Sequence, residues 1–170
     1  MTKMKKLLTT IALLCAALLG GGETQAQRTV ELLNFGWKFH AGNIANAESL
    51  TYDDDNWRVV NLPHDFQIEQ PWVTPNADEK ADNNDPAANI KSRLSSRGFK
   101  EMGCGWYRLH LTPSDSLKGR RLVLDFGGIM YVGDVYVNGR KVGGTDYGYV
   151  GFQIDVTNDL QFGQDNVIAV

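Results

Sequence analysis

The sequence predicts an all-β domain, a jelly-roll β-sandwich, on three observations. Apolar residues recur at every second position in several short runs, glycine-rich turns separate the runs, and Asn138-Gly139 lies between two of them as a two-residue hairpin loop. A type I′ turn needs positive φ at both central residues, which is why Asn-Gly favours it. Sustained helical spacing is missing apart from a short stretch around Asp85 to Leu94.

Taken in order, Met1 to Ala26 reads as a secretory signal, leaving residues 27–170 as one domain. Lys3, Lys5 and Lys6 form the positive n-region, Leu7 to Leu19 the apolar h-region, and Ala26 supplies the small residue before the cleavage point. The apolar run is shorter than the about 20 residues a membrane-spanning helix needs, so no membrane span is expected. Periplasmic or secreted export follows. Lipidation at Cys15 is the weaker alternative, because Leu13 and Leu14 are bulky and the h-region would be cut in half.

The first strand is expected over Leu32 to His40, with Phe35, Trp37 and Phe39 on one face. Asn43 to Asn56 is polar and ends in Asp53-Asp54-Asp55; it lacks the ligand alternation of a calcium loop, so a solvated turn is expected, with Trp57 tucked into the core. A short strand at Val59 to Leu62 leads into Pro63-His64-Asp65-Phe66. Pro63 has no N–H to donate, so pairing stops there and the chain turns, presenting His64 and Asp65. On these residues alone two readings stay open: the pair contacts a ligand, or Asp65 only accepts from backbone amides of the turn while His64 only packs.

Gln67 to Gly103 has no sustained period and carries Pro71, Pro75 and Pro86, yet Trp72, Arg93, Arg97 and Phe99 argue that parts of it pack. The sheet resumes at Trp106 to Thr112, with Tyr107, Leu109 and Leu111 inward and Arg108 and His110 outward, on the wet side, which makes His110 a solvent-side or interface residue. In Arg121 to Phe126 the residues Leu122, Leu124 and Phe126 share a face. A strand at Tyr131 to Val137 precedes the hairpin turn, and Gly127-Gly128 allows a bulge or sharp crossing before it. Phe152, Ile154 and Val156 restore the alternation. Asn166 to Val170 begins a strand, which predicts that further residues follow and that an unfinished sheet leaves an open edge.

Composition narrows the function classes. The chain is 42% hydrophobic and 22% charged with a formal charge of −3; without the leader, 14 basic and 19 acidic side chains remain. A mildly acidic domain with no basic stripe is not expected to bind nucleic acid. Beyond the leader Cys104 is the single cysteine, so no internal disulfide is expected and a structural thiol is the simplest reading. His40, His64 and His110 show no metal-ligand spacing, so no metal and no cofactor is expected. Glu31, Glu48, Glu69, Glu79 and Glu101 share no framework that could pair two carboxylates, and no Gly-x-Ser-x-Gly occurs, so no catalytic residue is assigned within the chain.

The ordered set Leu62-Pro63-His64-Asp65, Gly105-Trp106-Tyr107-Arg108, Asp125-Phe126-Gly127-Gly128, Val135-Tyr136-Val137-Asn138-Gly139, Tyr147-Gly148-Tyr149 and Asn166 to Val170 resembles the N-terminal sugar-binding domain of glycoside hydrolase family 2, of β-galactosidase and β-glucuronidase type. The resemblance spans Leu33 to Val170. It implies a galactose-binding-domain-like sandwich at the front of an exported, β-galactosidase-like enzyme acting on a galactoside or related saccharide. It also implies retaining hydrolysis by two glutamates on a downstream (β/α)₈ barrel, with immunoglobulin-like domains in the same polypeptide. By the same resemblance the Pro63 to Phe66 segment borders the active-site mouth, which makes Asp65 and His64 candidate substrate-binding residues. Trp72 is then available to stack on a pyranose face, with a plug between domains as its alternative. A stand-alone carbohydrate-binding module and a purely structural domain are the competing functions.

Overall fold

A computed structural model of the protein describes residues 28–73, 99–101 and 103–170. The leader with its cleavage point and Cys15, the helix expected around Asp85 to Leu94, and residues Arg93 and Arg97 lie outside the described residues. The chain divides into two compact units at Leu32/Leu33. Everything below concerns the second, Leu33–Val170.

Its strands are β1 (Trp37–Ala41), β2 (Arg58–Val60), β3 (Gly105–Leu111), β4 (Val123–Phe126), β5 (Gly133–Val137), β6 (Arg140–Thr145), β7 (Phe152–Asp155) and β8 (Asn166–Ala169). Among the described residues, six of them form one antiparallel sheet in the order β2-β1-β3-β8-β5-β6, while β4 and β7 pair separately. Side chains from both sheets meet in one core: Trp37, Leu109, Val135, Val137 and Ile168 from the larger, Leu124 and Ile154 from the smaller, with Val156 just beyond β7. The period of two is what aims them there. Gly143 marks a close approach of the layers, since a Cβ on it would stand 2.7 Å from Ile154 Cδ1.

The hairpin forms as its turn residues dictate. Asn138 (φ 52°) and Gly139 (φ 85°) both occupy the left-handed region between β5 and β6. Asn138 does more than turn the chain: its Nδ2 donates to Asn166 Oδ1 (2.8 Å), and its Oδ1 accepts from the Val167 backbone N–H (2.9 Å). Asn166, fully buried, donates to the carbonyls of Gln161 (2.8 Å) and Gln164 (2.9 Å). A buried amide needs all of these partners, so the pair fixes the entry of β8.

Several expected boundaries move. β1 starts at Trp37, because Gly36 at φ +76° breaks the alternation, and Phe35 is left exposed. β2 is shorter than expected, and β5 begins at Gly133, with Tyr131 and Val132 exposed.

The larger correction concerns the outer face of β3. Arg108, expected outward toward solvent, is completely buried, and Asp54, expected in a solvated turn, is 5% exposed. Arg108 Nε donates to Asp54 Oδ2 at 2.7 Å, and Nη1 and Nη2 donate to the carbonyls of Ala47, Ser49 (2.9 Å) and Tyr52 (3.3 Å). The segment between β1 and β2 therefore folds over that face. Asp53 and Asp55 do stay exposed. Trp57 is buried as expected, but it packs against His40 and Tyr52 under this cover and is not a member of the inter-sheet cluster. Alternation shows which side chains share a face; it cannot show whether water or a polar loop covers that face.

His110 completes the outer layer. Its Nδ1 lies 2.7 Å from Asp165 Oδ2 and its Nε2 3.1 Å from Asp54 Oδ2, so a half-exposed imidazole bridges two carboxylates. Burial pulls the His110 pKa down, but the hydrogen bonds and charges of Asp165 and Asp54 outweigh it and the net shift is upward. For Asp54 burial pushes up, and hydrogen bonds from Arg108 and His110 reverse it to a net lowering.

Two outcomes are expected. Replacing Arg108 by Met strands the Asp54 carboxylate and lowers stability by about 3–5 kcal/mol in urea unfolding, the cost of breaking a buried pair from one side. The raised His110 value means that its stabilisation is complete below the unfolded-state value of about 6.5 and is lost as pH rises through the folded-state value. Unfolding midpoints should therefore decline through the neutral range in the native chain and decline less in His110→Gln.

Candidate functional site

His64 and Asp65 sit at the end of the sandwich where β3 begins. Two contacts bring the turn there. Phe66 packs against Gly105, whose missing Cβ would stand 3.2 Å from the Phe66 ring and 2.9 Å from Phe39, and Phe39 and Phe66 rings are 5.7 Å apart. The Asp65 Oδ1 accepts the Gln67 backbone N–H at 2.9 Å and so starts the 3₁₀ turn Phe66–Glu69. An aspartate at such a position satisfies an amide the turn leaves orphaned. The side chain is otherwise exposed.

His64 is held from both ring nitrogens. Nδ1 is 2.8 Å from the Tyr107 hydroxyl, and Nε2 is 3.2 Å from Glu69 Oε1. Tyr107 retains its proton, its pKa pushed well up by burial first and then by the charges of Asp65 and Glu69. Its hydroxyl is the fixed partner of Nδ1, and Nε2 faces both Arg58 Nη2 (3.1 Å) and Glu69 Oε1. Glu69 also accepts from Arg58 Nη2 at 2.6 Å, and that hydrogen bond is the leading cause of its lowered pKa. Arg58 in turn lies over the Phe39 ring at 5.3 Å. The imidazole, edge-on to Phe39 at 4.9 Å, is a clamp for the turn, with no ring nitrogen left over.

Trp72 lies farther along the same segment, in an isolated bridge with Lys100. The bridge is extended by hydrogen bonds from Val73 N to Phe99 O (2.7 Å) and Glu101 N to Pro71 O (3.0 Å), which together close the neck of the Gln67 to Gly103 loop. Most of that loop, residues 74–98, lies outside the described residues. The Trp72 ring is 74% exposed, but Lys100 Nζ stands 3.9 Å from its centroid, so one face carries a cation. His64 and Asp65 thus share one turn, and Trp72 stands apart at the loop neck.

Sequence reasoning missed Arg58, Glu69 and Tyr107 as partners of His64. A possible signal was the rise in polar residues after Pro63, but nothing in spacing ties Tyr107 to His64 across 43 positions.

The same end of the sandwich carries the loops between β4 and β5 and between β6 and β7. Met130, Tyr131, Val132, Tyr147, Tyr149 and Val150 on these loops are each more than half exposed. The loops touch because residue 148 is glycine: a Cβ there would stand 3.3 Å from Met130 Cα.

Residues 94–170 match the glycosyl hydrolase 2 galactose-binding domain-like family. Those residues belong to a glycoside hydrolase family 2 domain of the galactose-binding-like type. It is 29% identical to a β-glucuronidase of Formosa agariphila over 86% of this chain and 14% of that protein. To a β-galactosidase of Bacteroides ovatus it is 31% identical, over 81% of this chain and 14% of that one. A family 2 glycosyl hydrolase of Bacteroides cellulosilyticus superposes with a TM-score of 0.65 at 34% identity, covering 82% of this chain and 17% of that structure. The chain thus spans about one-seventh of the length of the curated relatives it matches.

One consequence is open to direct measurement. Glu69→Gln removes the carboxylate that Arg58 and His64 share while keeping its shape. The exposed pairs contribute little by themselves, so urea stability should barely change. The His64 ring NMR signals should nevertheless broaden or shift as the imidazole loses the carboxylate beside Nε2; unchanged signals would remove the clamp.

Proposed function

We propose that this chain is the sugar-side domain of an exported, retaining β-glycosidase, and that the turn at His64-Asp65 forms part of the rim of its substrate pocket. The carrying observation is the division of labour in that turn: His64 is fully engaged in fixing it, and Asp65 uses one carboxylate oxygen for the cap and faces solvent. A preorganised carboxylate can accept hydrogen bonds from sugar hydroxyls with little ordering cost. Asp65 is then the residue that touches substrate, and His64 supports it. Trp72 offers a stacking face on the side away from Lys100.

In the full-length enzyme the exposed apolar loops at this end dock on a (β/α)₈ barrel, with immunoglobulin-like domains beside it. Contiguous exposed apolar side chains rimmed by polar ones mark interaction surfaces. Chemistry belongs to the barrel, where two carboxylates about 5 to 5.5 Å apart carry out double displacement. Named relatives of both β-glucuronidase and β-galactosidase type support a β-glycoside as substrate, and a galactoside is the first to test. Export rests on the leader Met1 to Ala26 and would place the enzyme in the periplasm or outside the cell.

Asp65→Ala in the full-length enzyme tests the reading. With aryl β-galactoside and aryl β-glucuronide substrates, KM for the preferred one should rise on the order of tenfold, the loss of a charged hydrogen bond, while thermal unfolding moves little. An unchanged KM for both would falsify the rim assignment. Trp72→Ala should raise KM less, and no change at all would leave Trp72 as a contact between domains.

A further inference from the structure

Far from the His64-Asp65 turn, the opposite end of the sandwich holds a cleft of about 640 Å³ lined by Gly119, Arg120, Arg121, Arg140, Asp155, Thr157, Asn158 and Asp159. Topology fixes its location. Gly105 at the start of β3 marks the His64-Asp65 end, and Leu111 at the other end of β3 pairs with Asn166, beside the Asn138-Gly139 turn. Arg140 follows that turn, Arg121 precedes β4, and Asp155 ends β7. Sequence reading left this group unused, because Lys118-Gly119-Arg120-Arg121 and Arg140-Lys141 look like two ordinary polar turns until the sheets bring them together.

Hydrogen-bond accounting gives the cleft its chemistry. The acceptors are largely spent. Asp155 Oδ1 accepts from Thr157 Oγ1 (2.6 Å) and Thr157 N (3.1 Å), Asp155 Oδ2 accepts from Arg121 Nε (2.7 Å), and Asp159 accepts from Arg140. Asp155 is held at about 2, first by Arg121 and then by Thr157, so it stays an acceptor already in use at any working pH. The donors are not spent. Arg121 is bound through Nε alone among its guanidinium groups, Arg140 through one terminal nitrogen, and Arg120 has no ion pair among the described residues. Three guanidinium groups with carboxylates anchoring two of them leave a surplus of N–H groups oriented by their anchors. Planar guanidinium forks suit carboxylate and sulfate oxygens, and the volume falls within the usual range of about 300–1,000 Å³ for ligand sites.

We propose that this cleft is a second glycan site, separate from the substrate rim, that takes an oxyanion group of an acidic saccharide: a uronate carboxylate or a sulfate ester. Arg120 is the primary contact, Arg121 and Arg140 flank it, and the Asn158 amide is placed to meet a ring hydroxyl. A neutral sugar gains no charge-assisted hydrogen bond from the arginines and binds more weakly. The site would hold the protein on an acidic polysaccharide without taking part in hydrolysis.

The test is titration of the full chain with a tetra-uronate oligosaccharide, a sulfated dextran oligomer, an unmodified dextran oligomer and a short DNA duplex. The acidic saccharides should bind more tightly than the unmodified dextran, with their affinity falling as salt rises. Whichever of the two acidic probes binds more tightly identifies the oxyanion. Arg120→Glu should weaken that binding at least about tenfold. Asn158→Asp places a new negative charge in the cleft while leaving every arginine in place, and it should act in the same direction. Equal binding of neutral and acidic dextrans, equal binding of the duplex, or insensitivity to both cleft substitutions overturns the proposal.

Discussion

A single buried ion pair, Arg108 with Asp54, decides what kind of molecule this is. A guanidinium with no exposed surface can be accommodated only if its charge and donors are met, and here one carboxylate and three carbonyls meet them. All of these partners come from the segment between β1 and β2. That segment carries no regular structure, so its place over the sheet depends on Arg108 and not on a ladder of its own. The result is a central strand covered on both faces: β3 gives Leu109 to the apolar core and Arg108 to a polar layer of Tyr52, Asp54, Trp57 and His110. With β3 fixed, the first residue of that strand, Gly105, supplies the seat for Phe66. Tyr107, two residues on, supplies the hydroxyl for His64. The candidate site is thus attached to the same strand that the ion pair secures.

The second organising device is the asparagine pair at the other end. Asn138 turns the hairpin and holds Asn166, and Asn166 ties down the carbonyls of the segment before β8. One strand end is shaped by aromatic packing and an imidazole clamp, the other by amide hydrogen bonds and arginines. The two ends consequently present different chemistries. The first is rich in exposed tyrosine and aliphatic side chains, and the second in charged donors, a contrast suited to facing a neighbouring domain on one side and solvent on the other.

What could be seen in the sequence follows from which interactions are local. Leu122, Leu124 and Phe126 against Arg121, Val123 and Asp125, and likewise Phe152, Ile154 and Val156, announce their faces by spacing, and Asn138-Gly139 announces its turn by the φ values it tolerates. Pro63 announces a break, and the turn carrying His64 and Asp65 falls just after it. Nonlocal pairing is silent in the chain. Nothing about Asp54, between two other aspartates, separates the one that meets an arginine from those that stay in water. Arg108 sits in an alternating run at a position that alternation assigns outward, and the assignment is right geometrically and wrong about solvent. Glu69 and Arg58 are ordinary surface residues until the turn after Pro63 carries them to His64. Backbone reversal at Gly36 likewise severs Phe35 from the Trp37 and Phe39 face although the spacing of the three is perfect.

The closed neck at Trp72 and Lys100 has a consequence for the cost of the loop it closes. The hydrogen bonds of Val73 with Phe99 and of Glu101 with Pro71 bring the two ends of the intervening segment together. The entropy of closing a loop grows only logarithmically, about 0.6 kcal/mol for each doubling in length. The neck therefore holds those two ends together at a cost that depends only weakly on the length of chain joining them, and it does so beside the strand that carries the arginine anchor and the hydroxyl for His64.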